Sequence, residues 1–93
     1  MKKHELVNNK QDSCFEFHID DEIAKIDYAQ AGGAIALTHT EIPHNLRGRG
    51  IGTELVESVL EYIDGQDMKV IPLCGFVAGY IQEHPQWKRI IVG

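Results

Sequence analysis

One stretch, residues 46–53, limits the folds open to this chain more than any other part of the sequence. Its glycines and arginines alternate, as Arg47, Gly48, Arg49, Gly50 and then Gly52. Glycine adopts backbone conformations that a Cβ forbids to other residues, so N–H groups in such a loop can converge. A helical pattern follows directly, and a helix start adds unpaired N–H groups and the positive end of the helix dipole. The stretch therefore predicts a strand–loop–helix unit with a phosphate or pyrophosphate site at the loop.

The spacing of this loop excludes two common phosphate-binding motifs. A Walker loop ends in Gly-Lys followed by Ser or Thr, whereas here Thr53 follows Gly52 directly. A dinucleotide fingerprint needs a third glycine three places after the second, where this chain has Thr53. The pattern that does fit is Arg/Gln-x-x-Gly-x-Gly/Ala, met by Arg47, Gly50 and Gly52. A glycine-rich turn that only starts a helix is the alternative interpretation of the motif alone.

The composition restricts the class of protein and its partners. The chain has 93 residues, of which 43% are hydrophobic and 25% charged, and these values predict one small globular domain over residues 1–93. A net charge of −5 argues against nucleic acid or an acidic membrane surface as a partner. No apolar run approaches the roughly 20 residues of a membrane span, and the first residues lack a signal-peptide core. We expect a cytoplasmic monomer or weak dimer with Cys14 and Cys74 as free thiols.

Alternating apolar and polar residues in the first half of the chain predict short antiparallel strands. The predicted strands cover residues 4–8, 14–19, 22–29 and 34–42. Strict alternation in the last of them places Ile35, Leu37, His39 and Glu41 on one face. Pro43 ends this strand because proline cannot donate a hydrogen bond to the sheet.

The second half of the chain predicts two helices and two further strands. An apolar stripe marks the first helix from Ile51 to its stop at Gly65: Ile51, Leu55, Val56, Val59, Leu60 and Ile63. A strand within residues 67–73, a helix over residues 75–83 and an edge strand over residues 87–92 follow. Strand, helix and parallel strand form a βαβ unit. The fold class is therefore α+β (mixed α/β), an antiparallel meander joined to a βαβ unit in one mixed sheet with two helices.

The residues of the C-terminal half resemble those of a known family, and they follow one another at the same spacing as in that family. The matching residues are His39-Thr40, Pro43, Arg47-Gly48-Arg49-Gly50-Ile51-Gly52, Pro72-Leu73-Cys74, Phe76, Tyr80-Ile81 and His84-Pro85. They are similar to the small, stand-alone YjdJ-type N-acetyltransferase-like family, a minimal branch of the GNAT superfamily. The resemblance implies a minimal GNAT-like fold that binds acetyl-CoA, with the pantetheine arm between strands ending near Ile42 and Leu73. The implied coenzyme A-binding residues are Thr40, Ile42, Arg47, Gly48, Arg49, Gly50, Ile51, Gly52, Thr53 and Cys74.

Acetyl transfer from a thioester to an amine requires a polarised carbonyl and a base. Backbone N–H groups of residues 39–42, freed where two strands diverge, are candidates for holding the thioester oxygen. His39 is the first candidate base because imidazole titrates near neutral pH, and Glu41 is the second. A cross-strand histidine and a solvated carboxylate are the respective alternatives.

Cys74 and Tyr80 complete the set of candidate catalytic residues. Cys74 precedes a helix whose N-terminus favours the thiolate, so it is a candidate nucleophile, a neighbour of the coenzyme A sulfur or an ordinary buried cysteine. Across the sheet it could also pair with His39 as a thiol and imidazole. The resemblance gives Tyr80 the role of an acid that protonates the departing thiolate, whereas its four-residue spacing from Phe76 favours a core role. No metal is expected, because the His and Cys residues lack short ligand spacing.

Two functions from different classes stay open at this point. The first is an N-acetyltransferase that moves an acetyl group from acetyl-CoA to an unidentified amine, either a small amine or a protein amine. The second is a non-catalytic domain that binds or senses coenzyme A or acyl-CoA. A third option is a structural interaction domain whose loop is vestigial, which would not bind coenzyme A. The chain lacks the early helices that form one wall of the acceptor site in larger GNAT enzymes, so the acceptor is not specified.

Overall fold

The computed structural model describes residues 4–92. The strands are β1 (Val7–Asn9), β2 (Cys14–Ile19), β3 (Glu22–Ala31), β4 (Ala34–Glu41) and β5 (Lys69–Pro72). The helices are α1 (Ile51–Gly65) and α2 (Gly75–Glu83), with short 3-10 helices at His44–Leu46 and Pro85–Ile90. The strands form one five-stranded sheet in chain order; β1 to β4 pair antiparallel, and β4 pairs parallel with β5. This arrangement confirms the predicted α+β class, with its meander, its βαβ unit and its two helices.

The hairpin between β2 and β3 sets which side chains face the core. Its turn residues Asp20 and Asp21 both have positive φ, 53° and 64°, the conformation that a two-residue hairpin turn requires. The resulting register pairs Phe15 with Ile26 and Phe17 with Ala24. All four side chains are fully buried and join one hydrophobic cluster. This surface is called the core face of the sheet below.

Both helices pack against the core face. The apolar stripe of α1 is fully buried at Leu55, Val56, Val59, Leu60 and Ile63, and it contacts the sheet together with buried residues of α2. No helix of the part of the chain that the structure describes covers the opposite side, which is called the open face. Charged side chains such as Lys25, Asp27 and Glu41 lie on that face, as expected for a sheet with one solvated surface, although Cys14 and Glu16 are buried there.

A β-bulge in β4 changes which residues face the helices. Tyr28 pairs with Leu37 but the preceding residue Asp27 pairs with His39, so Thr38 is the extra residue of the bulge. The Thr38 hydroxyl donates a hydrogen bond to the carbonyl of Asp27 at 3.2 Å. The register then resumes, and the alternation of the strand has been reversed.

The bulge overturns one prediction about β4. Ile35 and Leu37 lie on the core face as predicted, whereas His39 and Glu41 lie on the open face. Thr40, which pairs with Ile26, is on the core face in their place. The prediction that the four residues share one face was wrong because alternation holds only along an unbroken strand.

The predicted edge strand over residues 87–92 was also wrong. Residues Pro85–Ile90 form a 3-10 helix, and a single bridge between Val70 and Ile91 is all the sheet pairing the structure gives to this segment. Pro85 favours the helical conformation at the first position, since its φ is already fixed. The three-residue spacing of Trp87 and Ile90 then turns both side chains into the core.

Candidate functional site

The glycine loop between β4 and α1 adopts the left-handed conformations that its sequence predicted. Gly48 has φ of 79° and Gly50 has φ of 75°, which strain any residue with a Cβ. Gly50 is the N-cap of α1, and its carbonyl accepts the first helical hydrogen bond, from Glu54 at 3.0 Å. The N–H groups of residues 51–53 therefore have no partner within the helix and are available to an anion.

A cleft of about 380 Å³ extends from this loop to Thr40 on β4. It is lined by Thr40, Ile42, Leu46, Arg47, Gly48, Gly50, Ile51, Gly52, Thr53 and Phe76. The structure thus brings together all the predicted coenzyme A-binding residues except Arg49 and Cys74. Leu46 and Phe76 were not predicted as cleft residues, although Leu46 belongs to the stretch 46–53 and Phe76 is one of the residues that carry the family resemblance.

The two arginines of the loop have different partners. The Nε of Arg47 donates to the carbonyl of Ile42 at 3.1 Å, which ties the loop to the end of β4. The Nη1 of Arg49 lies 3.1 Å from Oδ2 of Asp20 in the β2–β3 turn. That ion pair is exposed, and exposed pairs contribute little free energy, so a bound anion can compete for Arg49.

Gly52 is required by a close approach rather than by its dihedral angles. A Cβ at this position would lie 2.9 Å from Cζ of Phe76 and 3.6 Å from Cγ1 of Ile42. The Phe76 ring, 47% exposed, therefore packs directly over the backbone at the start of α1. Ring, glycine and Ile42 form the apolar wall of the cleft.

The pairing of strands β4 and β5 ends near the Thr40 end of the cleft. The backbone N–H groups of Leu73 and Cys74 both donate to the carbonyl of Leu37, at 3.1 and 2.9 Å. Beyond this point the ladder between the strands ends, since their last paired residues are Leu37 and Pro72. The place where this pairing ends, beside Cys74, is called the gap between β4 and β5 below.

Cys74 lies among groups that can form hydrogen bonds with its sulfur. Its Sγ lies 3.1 Å from Oγ1 of Thr40 across the gap, and the residue is the N-cap of α2. Burial alone raises the pKa of the thiol, but the Thr40 hydroxyl and the backbone N–H groups of Val77, Phe76 and Thr40 lower it. The net effect is a pKa below the ordinary cysteine value.

His39 and Glu41 do not share this environment. The bulge places both on the open face, so Thr40, and not His39, contacts Cys74; the predicted pairing of thiol and imidazole was wrong. Oε1 of Glu41 lies 3.9 Å from Nζ of Lys25, which is its partner in β3. A base at either residue would act from the open face of the sheet.

Tyr80 is part of the hydrophobic cluster between the helices. Its ring stacks on His84 with centroids 4.0 Å apart, and its side chain is 9% exposed. Burial raises the pKa of the Tyr80 hydroxyl, Glu57 raises it further and Trp87 acts in the opposite direction. The groups that act on this hydroxyl therefore belong to α1 and the last 3-10 helix.

The described residues give no sign of a metal centre or a membrane span. Within residues 4–92 no three His, Cys, Asp or Glu side chains come close enough together to hold a metal ion. None of the helices over the same residues is long and apolar enough to cross a bilayer. Both cysteines are free thiols.

Comparison with known proteins connects this geometry with a family. Residues 14–90 match the family model of the GCN5-related N-acetyltransferases. The protein NATD1 from Gallus gallus and that from Mus musculus are each 35% identical over 51 residues, which are 55% of this chain and 46% of each relative. The chain therefore spans about half the length of these curated relatives.

A solved structure shares the fold. The NMR structure of a GCN5-like protein from Staphylococcus aureus superposes with a TM-score of 0.73 at 23% identity, covering 100% of this chain and 92% of the other. At this identity the likeness concerns the fold alone. The family model, in contrast, matches most of the sequence, including the loop, the cleft and the gap between β4 and β5. The chain belongs to the GCN5-related N-acetyltransferase family.

Proposed function

We propose that this chain transfers an acetyl group from acetyl-CoA to an amine, as a minimal enzyme of the YjdJ-type branch. The observation that supports the proposal is the continuous cleft from the glycine loop to Thr40, beside the gap at Cys74. Phosphate groups suit one end, where helix N–H groups and arginines lie, and an apolar arm suits the wall formed by Phe76 and Ile42. The residues present therefore fit acetyl-CoA.

The proposed mechanism assigns each part of the cleft a task. The N–H groups of residues 51–53 and the charges of Arg47 and Arg49 would hold the pyrophosphate. The end of β4 near Thr40 would orient the thioester carbonyl, with Cys74 as nucleophile or as neighbour of the coenzyme A sulfur. Tyr80 remains the proposed acid for the departing thiolate, although it lies in the core.

The amine acceptor is proposed to arrive from the open face. The helices occupy the core face, whereas the candidate bases His39 and Glu41 stand on the other side of β4. A base there can take a proton from an amine that approaches through the gap between β4 and β5. The acidic character of the chain favours an acceptor that is cationic before it loses this proton.

Titration calorimetry with acetyl-CoA tests the cofactor site. We expect micromolar binding by the wild type and its loss in Gly50→Glu, which adds strain, bulk and negative charge to the loop. Gly32→Glu is the matched control, because Gly32 also has positive φ, 62°, and open space around it but lies in the β3–β4 turn. Equal affinity in the wild type and Gly50→Glu, or no binding by the wild type, would refute the proposal.

One observation favours a second function, binding without turnover. The bulge leaves both candidate bases off the face of the sheet that carries Thr40 and Cys74. A domain that only binds or senses acyl-CoA needs no such base. Turnover separates the two functions. The experiment screens small amines, lysine peptides and protein N-termini as acceptors and measures the release of coenzyme A. If no acceptor raises this release above the rate of hydrolysis, the result supports the binding domain. A cytoplasmic setting and one domain over residues 1–93 are part of both proposals.

A further inference from the structure

We infer that Thr40 is a positioning residue for Cys74, and that the bulge at Thr38 serves to turn the Thr40 hydroxyl onto the Cys74 sulfur. The inference rests on the proposed function in one respect only, since that function supplies the electrophile that the sulfur would attack, the acetyl thioester. The arrangement itself is independent of any ligand. It makes Cys74 the reactive cysteine of the chain.

The orientation of Thr40 follows from the register of the sheet. Without the extra residue Thr38, strict alternation would place His39 on the core face and Thr40 on the open face. The bulge reverses this order, so Oγ1 of Thr40 lies 3.1 Å from Sγ of Cys74 and Thr40 lines the cleft. A single inserted residue therefore decides which side chain meets the sulfur.

The position of the sulfur is equally restricted. The N–H of Cys74 donates to the carbonyl of Leu37 at 2.9 Å, and its carbonyl accepts from Ala78 at 2.9 Å in the first turn of α2. Backbone bonds on both sides thus fix the residue where the pairing of the strands ends. Its side chain is left facing Thr40 and the start of the helix, where donors converge.

The chemistry of these donors favours a sulfur anion. A thiolate can only accept hydrogen bonds, and the Thr40 hydroxyl at 3.1 Å can donate one to it, a bond that is stronger to the charged sulfur than to the neutral thiol. Helix N–H groups act in the same direction, consistent with the lowered pKa of the thiol. A thiolate is the nucleophilic form of cysteine, which is why the position of one hydroxyl affects reactivity.

The other cysteine provides a contrast within the same molecule. Cys14 is 2% exposed, and its Sγ donates a hydrogen bond to Oε2 of Glu16 at 3.1 Å. Burial, with the Glu16 carboxylate adding to it, raises the pKa of Cys14 to about 12. One thiol therefore meets donors and the other meets an acceptor, so their reactivities should differ widely.

The experiment measures alkylation of each cysteine by iodoacetamide from pH 6 to about pH 9, a range that brackets the ordinary thiol pKa. Mass spectrometry of the digested protein follows Cys14 and Cys74 separately in the wild type, Thr40→Val and Thr40→Ser. We expect Thr40→Val to slow alkylation of Cys74 about tenfold at pH 7 and to move the profile to higher pH, because a hydrogen bond to a charged group is lost. Thr40→Ser keeps the hydroxyl and should react within about twofold of the wild type.

Cys14 serves as the internal control, since it should stay unmodified while the protein is folded. If Thr40→Val exposes Cys14 to the reagent, Thr40→Ala replaces it as the variant by which the inference is judged. A rate and pH profile equal to the wild type in the folded variant would overturn the inference. The assay contains neither acetyl-CoA nor an amine, so a failure of the proposed function would leave its result unchanged.

Discussion

The contact between Gly52 and Phe76 allows a test that separates binding from folding. In Gly52→Ala the new Cβ would lie 2.9 Å from Cζ and 3.2 Å from Cε2 of the Phe76 ring. These distances are too short, so the ring or the start of α1 must move. The ring is the mobile partner, because it is half-exposed and the overlap concerns its outer edge. We expect the ring to shift within the cleft while the backbone stays in place.

The effect on stability should be small. Replacing glycine by alanine within a helix stabilises by up to about 1 kcal/mol. Moving a half-exposed phenylalanine costs part of the roughly 1.5–3 kcal/mol that full burial of such a side chain contributes. The two contributions have opposite signs and similar size, so the free energy of unfolding should change by less than about 1 kcal/mol.

The effect on acetyl-CoA binding should be larger. The added methyl group and the displaced ring both occupy the apolar wall of the cleft. Overpacking a fitted site costs about 1–3 kcal/mol, which weakens affinity by roughly 5- to 150-fold. Calorimetric titration with acetyl-CoA measures this loss, and urea unfolding measures stability on the same samples.

Gly79→Ala is the matched control. Gly79 also lies within a helix, is exposed and has no atom within 4 Å of a Cβ placed on it. This variant should be more stable by about 0.5–1 kcal/mol and bind acetyl-CoA with unchanged affinity. Adding Phe76→Ala to Gly52→Ala should remove most of the loss that the methyl group causes. The reasoning would be refuted if Gly52→Ala bound acetyl-CoA with wild-type affinity. It would also be refuted if Gly52→Ala weakened the affinity equally in the wild-type background and in the Phe76→Ala background.

Two further predictions concern stability. Arg89 forms a two-point ion pair with Asp64, 2.6 Å from Nη2 to Oδ2, and these hydrogen bonds hold the pKa of Asp64 below its usual value. A carboxyl whose pKa is lowered by folding stabilises the fold above its unfolded-state pKa, and this contribution is lost as the pH falls through its folded-state pKa. Asp64→Asn should therefore lower the free energy of unfolding at pH 7 but not near pH 2, as measured by urea unfolding. An equal loss at both pH values would contradict this. Leu60→Ala, at a fully buried position of α1, should cost about 2–5 kcal/mol, and a loss under about 1 kcal/mol would show that the site collapses around the cavity.

The sequence predicted the strands and helices whose apolar pattern lies within their own residues. Strand β2 covers Cys14–Ile19 and α2 covers Gly75–Glu83, as their periodicity indicated. The bounds of helix α1, Ile51 and Gly65, were predictable because its apolar stripe and Gly50 lie within the local sequence. The helix ends differently from the prediction, since Asp67, with φ of 58°, and not Gly65 is the left-handed residue that follows it. The cleft followed from the same information, since the loop that forms it immediately precedes this helix.

Features that depend on pairing between segments were missed. Nothing in residues 34–42 alone shows that Thr38 will be bulged, because a bulge is defined by two strands and not by one. The last segment has an apolar pattern that suits a strand, yet the spacing of Trp87 and Ile90 also suits a 3-10 helix. Packing against the core, which sequence periodicity does not contain, selects between them.

The bulge matters for the proposed function because it decides whether an imidazole or a hydroxyl faces the sulfur of Cys74. With regular alternation, an imidazole at His39 would face the sulfur of Cys74, and the pair could act as base and nucleophile. With the bulge, the sulfur meets the hydroxyl of Thr40, which can stabilise a thiolate but cannot take a proton at neutral pH. The proposed mechanism therefore assigns activation of the sulfur and deprotonation of the amine to opposite faces of β4. In the proposed mechanism an acceptor amine would reach the sulfur past the place where β4 and β5 cease to pair, so access at that place should limit which amines this chain accepts.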